Sequence, residues 1–238
     1  VCFALEAAFV AILLLSRNMG DDAAGRGLAT AWGLILAPVV LVATSGIDFA
    51  LEGGGIETDG AGTLLSTWHC LHERHPDQTR ERISAVLLET QHQDRVLWLN
   101  YGYLEGDDTD AHIDTLARFA SPDSIVYQGC QDAADSHFVE LGLMAAELSQ
   151  LKRKDGQAYQ LFELPWPQPI IDNGRRLAAS YANFLIINGA VLMPVYNDSA
   201  DAAAIAVMRE AFPEREIKPM EQENDNIRFF DHRREDAR

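Results

Sequence analysis

The feature that most constrains the fold is a recurring order of predicted elements: strand, strand, helix, strand. The unit repeats about every 60 to 70 residues, without sequence identity between its copies. The predicted elements are strands within 46–68, a helix over 77–91, strands at 95–99, 115–120 and 124–127, a helix over 133–151, a strand at 159–164, a hairpin over 180–194 and a helix over 200–212. This order indicates an α/β chain built from repeated supersecondary units.

Composition narrows the class of protein and of partner. The 238 residues are 47% hydrophobic, enough for one large domain or two small ones. A formal net charge of -17 argues against a nucleic-acid partner, because phosphate binding needs clustered Lys and Arg. The three cysteines (Cys2, Cys70 and Cys130) form no C-x-x-C pair, which indicates neither a zinc site nor a disulfide framework and fits a reducing compartment. We therefore expect a cytoplasmic location.

Both ends of the chain differ from the middle. Residues 1–15 are apolar like part of a signal peptide, but they lack a positive start and contain Glu6. Residues 28–45 are long enough to suggest a membrane span, whereas Pro38 and the β-branched second half favour a buried helix followed by a strand. The expected organisation is a divergent apolar segment at 1–45, a folded domain at 46–219 and a solvated or disordered charged tail at 220–238.

Residues 106–114 (GDDTDAHID) place four aspartates and one histidine within nine positions. If the segment is extended from Asp110 onward, the side chains of Asp110, His112 and Asp114 share a face while Ile113 points into packing. A histidine between carboxylates can hold a proton near neutral pH and pass it on, and the carboxylates attract a cationic substrate. The alternative is an acidic loop that caps a helix or lies in solvent.

Three consecutive glycines at 53–55 predict a close backbone approach or unusual dihedral angles. The sequence disfavours a phosphate-binding loop here, because neither G-x-G-x-x-G nor a Lys-Ser/Thr pair follows.

Three ordered motifs then carry a family resemblance. They are residues 51–60 (LEGGGIETDG), 106–114 (GDDTDAHID) and 179–184 (ASYANF), with supporting matches at Asn188-Gly189 through Pro194 and at 211–215 (AFPER). Over about residues 47–217 the chain resembles agmatine deiminase and the bacterial peptidylarginine deiminases. The resemblance implies the pentein fold, an α/β propeller of ββαβ units with pseudo-fivefold symmetry around a central substrate channel.

The resemblance also implies a reaction that needs no metal or organic cofactor. A cysteine thiolate attacks the guanidinium carbon, ammonia leaves, and water hydrolyses the covalent intermediate to a ureido product. Agmatine would give N-carbamoylputrescine, a step toward putrescine.

The site residues follow from the resemblance. His112 would be the general acid and base, and Glu52 and Asp114 would bind the guanidinium. Asp110 and Asp108 would orient the loop and the histidine, Asp110 as part of the substrate-binding set, and Asn183 matches an asparagine of the active-site strand. Glu52 could instead be an exposed carboxylate at a strand end, and Asn183 a buried amide that satisfies backbone groups.

Two parts of the family pattern are missing. Residues 1–45 contain no tryptophan–arginine–aspartate segment, and the glycine-rich Cys motif near the family's C-terminus has no counterpart after Lys218. Cys70 lies between two histidines (residues 68–72, WHCLH), but packing at a helix start is the favoured role, and Cys130 is expected in a surface loop. No nucleophile is identified.

We therefore expect an incomplete propeller that lacks parts of its first and last units, is inactive alone and self-associates through open strand edges. Three functions remain open: a partial deiminase, a non-catalytic guanidinium-binding module, and a membrane-anchored protein. The residues of the motifs at 106–114 and 179–184 favour agmatine over peptidyl-arginine as substrate. A homo-oligomer is also possible.

Overall fold

The computed structural model describes residues 49–107 and 111–221. The predictions for residues 1–45, for Asp108 and Asp110, and for 222–238 lie outside this part of the chain. Residues 51–53 group with a separate compact unit and are described by themselves. Within the described residues, no helix is both long and apolar enough to span a bilayer.

Three ββαβ units make up most of the described chain. The first contains strands β1 (Glu57–Thr58), β2 (Thr63–Thr67) and β3 (Arg95–Leu99), with helices α1 (Trp68–Arg74) and α2 (Arg80–Thr90) before β3. The second contains β4 (Ala117–Ser121), β5 (Ser124–Gln128), helix α3 (Phe138–Gln150) and β6 (Gln160–Leu164). A short hairpin, β7 (Ile170–Asp172) and β8 (Arg175–Leu177), leads to the third, which contains β9 (Leu185–Ile187), β10 (Ala190–Val195), helix α4 (Asp201–Ala211) and β11 (Glu216–Glu221).

All three units share one topology. The first two strands pair antiparallel, and the helix then crosses over so that the third strand pairs parallel with the second. The middle strand of each sheet is therefore the second in sequence. A parallel pair needs a crossover connection, and a helix is the usual one. The predicted repeat of strand, strand, helix, strand is confirmed.

The helices bury an apolar face, and α1 and α2 also begin at a threonine cap. Thr79 accepts a hydrogen bond from the backbone N–H of Arg82 and so caps α2. Ile83, Val86 and Leu87 are the buried residues of α2, at the spacing that places them on one face. In α3 the buried residues are Leu141, Met144 and Leu148, and Ala145 is partly buried beside them.

Several boundaries differ from the predictions. The helix expected from residue 133 begins at Phe138, and the strand expected from Ser180 begins at Leu185. Strand β11 continues through Met220 and Glu221, two residues into the segment expected to be disordered, because these residues pair with Pro194 and Val195 of β10.

Candidate functional site

The 3-10 turn at Gly53–Gly55, called the glycine turn below, brings its backbone against the side chains of the second motif. A β-carbon built on Gly54 would lie 2.5 Å from Nδ1 of His112 and 2.7 Å from Oδ2 of Asp114. Ser66 Oγ donates a 2.7 Å hydrogen bond to the carbonyl oxygen of Gly55 and so holds the turn. The predicted close backbone approach is confirmed, and its partners are the two predicted site residues. Glu52 is half-buried and directly precedes the Gly53–Gly55 3-10 turn.

From Ala111 onward the second motif is a tight turn, so the extended conformation considered from its sequence does not occur in this part. Ala111 has a φ of 65°, and Ile113–Thr115 form a 3-10 helix that directly follows His112. A hydrogen bond of 2.7 Å from Thr67 Oγ1 to the carbonyl oxygen of Ala111 fixes this conformation. Because the bond comes from strand β2, 44 residues earlier, local sequence could not reveal it.

The turn nevertheless presents the expected groups. Ile113 is fully buried, as predicted, and His112 is only 5% exposed. His112 and Asp114 both approach Gly54, so they face the same backbone although the segment is not extended. The structure thus brings these two predicted residues together at the glycine turn.

The third motif is a loop whose backbone is held from both sides. Ser180 Oγ donates to the carbonyl oxygen of Thr115 at 2.6 Å, which ties this loop to the second motif. Gln128 Oε1 accepts from the backbone N–H of Tyr181 at 2.9 Å, while the hydroxyl of Tyr196 donates to the Ser180 carbonyl and accepts from the Ser180 N–H. Burial raises the pKa of Tyr196, so its hydroxyl stays protonated and can act as both donor and acceptor.

Asn183 lies in this loop and not in the strand that was expected to carry it. It is half-buried, and its backbone N–H donates to the Ser180 carbonyl at 3.4 Å. The loop cannot be a strand because its backbone groups bond to Gln128, Tyr196 and to each other.

Sequence reasoning did not identify Arg118 and Gln128, which connect the motifs. Gln128 is fully buried at the end of β5, and Arg118 lies within β4, where its guanidinium pairs with Glu57. The available signal was a polar side chain inside the predicted strand 115–120 and another directly after the predicted strand 124–127, because buried polar groups need partners.

The described cysteines are packed in the interior. Cys70 is fully buried in α1, where its Sγ would lie 3.3 Å from a β-carbon on Gly55. Cys130 is 8% exposed, so its expected position in a surface loop is wrong. Burial raises the pKa of the Cys130 thiol, which disfavours the reactive thiolate. Cys130 lies two residues after strand β5, where the backbone N–H of Gly129 donates to the Leu164 carbonyl of the neighbouring β6.

Within residues 49–107 and 111–221, no three His, Cys, Asp or Glu side chains form a group that could hold a metal ion.

Comparison with known proteins identifies the family. The model of the Porphyromonas-type peptidyl-arginine deiminase family matches residues 22–225. The chain belongs to this family. Its members are hydrolases that modify guanidino groups.

The agmatine deiminase of Stutzerimonas stutzeri is 35% identical over 189 residues, which cover 71% of this chain and 51% of that protein. The chain thus spans about half the length of the curated relatives it matches.

Solved structures agree with this assignment. A structure assigned as an arginine deiminase of Porphyromonas gingivalis superposes with a TM-score of 0.73 at 47% identity, over 76% of this chain and 54% of that one. The agmatine deiminase of C. jejuni with substrate bound gives 0.68 at 38% identity, over 74% of this chain and 52% of that one. The chain therefore has the α/β fold of these deiminases, the pentein type that the resemblance implied.

Proposed function

We propose that this chain carries the guanidinium-binding and proton-transfer groups of an agmatine deiminase, which converts agmatine and water to N-carbamoylputrescine and ammonia. The observation that carries the proposal is the approach of both His112 and Asp114 to Gly54. Three of the compared relatives or structures, those of S. stutzeri, C. jejuni and Enterococcus faecalis, are agmatine deiminases.

The residue types suit the chemistry. A guanidinium is planar and permanently charged, so carboxylates bind it through paired hydrogen bonds. Asp114 and Glu52 are proposed for this role, with Asp110 and Asn183 as further substrate-binding residues. His112 would protonate the departing ammonia and then take a proton from the attacking water.

The nucleophile is the missing part of this proposal. The reaction needs a thiolate that forms a C–S bond as the C–N bond to ammonia breaks, after which water replaces sulfur at the carbon. Cys70 and Cys130 are buried, and Cys2 lies outside the described residues. We therefore propose that the 238-residue chain does not turn over agmatine by itself, although it binds the guanidinium.

Peptidyl-arginine is the second candidate substrate. It is favoured by the family model and by a solved structure assigned as a peptidyl-arginine deiminase, which is 41% identical to this chain. A non-catalytic guanidinium-binding role is the third reading and shares the same acidic site.

The remaining expectations belong to the same proposal. The three described ββαβ units would be part of a five-unit propeller, which fits coverage of about half of each relative. Open sheet edges would then favour self-association, which analytical ultracentrifugation measures. A cytoplasmic location and the absence of nucleic-acid binding also remain proposals.

The test is ammonia release from agmatine and from a peptidyl-arginine substrate, measured beside binding of each compound by calorimetry. We expect binding without ammonia release, and loss of binding in Asp114→Asn. Turnover that disappears in His112→Ala would show that a cysteine of this chain acts as nucleophile. Absence of binding to both compounds would reject the proposed function.

A further inference from the structure

One arginine contacts the first and third sequence motifs and lies four residues after the second. Arg118 of β4 places Nε and Nη2 each 2.9 Å from Oε2 of Glu57, while Nη1 donates to the carbonyl oxygen of Phe184. Its guanidinium carbon also lies 4.9 Å from the centre of the Phe184 ring. The Arg118 and Glu57 side chains are 17% and 10% exposed, so this pair is largely withdrawn from water.

These contacts join residues that adjoin the candidate site. Glu57 follows Gly54 by three positions, Arg118 follows Asp114 by four, and Phe184 directly follows Asn183. Gly54 itself lies against His112 and Asp114 of the second motif. The contacts of Arg118 therefore connect the segment of the glycine turn and the second motif to the third motif.

The pair is costly to bury. Burial raises the pKa of Glu57, the charge and hydrogen bond of Arg118 lower it in part, and the charge of Asp114 raises it again. Asp114 is therefore close enough for its charge to act on Glu57. A buried ion pair in this position contributes little net stability, and geometry is the better reason for its presence.

The chemistry of the pair adds a second requirement. Arg118 carries the same cation as the proposed substrate, a guanidinium, on the same strand-and-turn segment as Asp114. If it were unpaired, it would compete with the substrate for the carboxylate of Asp114. Glu57 holds that guanidinium in place through the ion pair.

We infer that Arg118, held by Glu57, is a positioning residue that fixes the second and third motifs against the glycine turn and thereby sets the places of Asp114 and Asn183. The inference rests on the proposed function for its consequence in substrate binding. The part that concerns the positions of the motifs depends only on the contacts of Arg118.

Amide hydrogen exchange of the full chain provides the direct test, with Arg118→Met and Arg118→Lys as variants. Arg95→Met is the matched control, because Arg95 is another half-buried arginine that bridges segments, through Thr63, Tyr159 and the Lys152 carbonyl. We expect exchange at Leu116 and Phe184 to accelerate about tenfold or more in Arg118→Met, less in Arg118→Lys, and not in Arg95→Met.

Two results of the exchange experiment would overturn the inference. One is exchange at Leu116 and Phe184 that matches the Arg95→Met control. The other is acceleration spread equally over helix α2, which would mark a general loss of stability. If Arg118→Met does not fold, the comparison of Arg118→Lys with wild type decides in the same way.

Agmatine binding then separates this inference from the proposed function. We expect an affinity about tenfold weaker in Arg118→Met, partly recovered in Arg118→Lys. If wild type binds no guanidinium compound, the proposed function fails while the exchange result still decides the role of Arg118. If wild type and Arg118→Met bind agmatine equally, the positioning role is rejected.

Discussion

Two buried ionic clusters flank the motif segments, and their carboxylates differ in the number of hydrogen bonds that they accept. In the first, Asp135 accepts hydrogen bonds from Arg176 at 2.7 and 3.2 Å, from the Trp166 ring at 3.0 Å and from His137 Nδ1 at 2.6 Å. His137 Nε2 in turn accepts from the backbone N–H of Glu105 at 2.8 Å, which ties the cluster to the start of the second motif.

The second cluster is the pair of Glu57 and Arg118, in which the carboxylate has one arginine and a backbone bond from Phe119. Burial raises the pKa of Glu57, whereas in Asp135 the hydrogen bonds overcome burial and hold the pKa well below its usual range. We infer that the charged carboxylate of Asp135 stabilises the fold. The charged form of Glu57, beside the candidate site, is stabilised less by its surroundings than that of Asp135.

Removing Asp135 has the largest expected effect. Asp135→Asn leaves the buried Arg176 without its carboxylate, so we expect the free energy of unfolding to fall by about 3 to 5 kcal/mol. Urea denaturation measures it. A loss no larger than that of Glu216→Gln, which breaks an exposed pair with Lys218, would remove the distinction between the two clusters.

Glycine substitutions compare the two regions directly. A β-carbon on Gly106 would overlap the backbone oxygen of Arg176, and its φ is +86°, so Gly106→Ala should cost about 2 kcal/mol or more of stability. At Gly54 the obstructing atoms are the movable side chains of His112 and Asp114. Gly54→Ala should therefore cost less stability and weaken agmatine binding about tenfold or more.

The control for both is Gly142→Ala, since a β-carbon there meets nothing within 4 Å in the middle of helix α3. This change should raise stability by about 0.5 to 1 kcal/mol. Equal losses of binding in Gly54→Ala and Gly142→Ala would contradict the site geometry. Denaturation and calorimetry on the three variants give the comparison.

Acidification should affect the two carboxyls in opposite directions. The lowered pKa of Asp135 contributes stability that is present above its unfolded value, about 4, and is lost as pH falls below that value. The raised pKa of Glu57 has the reverse sign, because its favourable contribution is present at low pH and is lost as pH rises through the folded pKa. Carboxyl NMR titration should show Glu57 taking up its proton first, and the opposite order would reverse the comparison.

The smallest expected effect is at the surface. Glu216→Gln should change the free energy of unfolding by less than about 1 kcal/mol, because the Glu216 and Lys218 side chains are 69% and 49% exposed. The same urea denaturation tests it. A loss of several kcal/mol would show that exposure does not decide what an ion pair contributes here.

The regular units were predictable from sequence, while the irregular segments were not. Helix α2 and the hairpin of β9 and β10 follow from the apolar spacing and the Asn188-Gly189 turn. The hairpin of β7 and β8 was missed, although Asn173 and Gly174 both have positive φ and carry the same turn signal.

The site turns depend on contacts distant in sequence. The conformation of Ala111 depends on Thr67, and the loop at Ser180 depends on Gln128 and Tyr196. No local pattern encodes such bonds. The sequence grouped His112 and Asp114 on the condition of an extended backbone, which the structure does not have after Ala111. The resemblance supplied the roles that spacing could not.

The most direct test of the guanidinium site is the NMR response of the His112 imidazole to ligand. Agmatine and putrescine share a four-carbon chain with an amino end, and only agmatine has the guanidinium. We predict that agmatine shifts the His112 resonances and that putrescine does not, with the shift lost in Asp114→Asn. An equal response to both ligands, or none to agmatine, would contradict the assignment of His112 and Asp114 to guanidinium recognition.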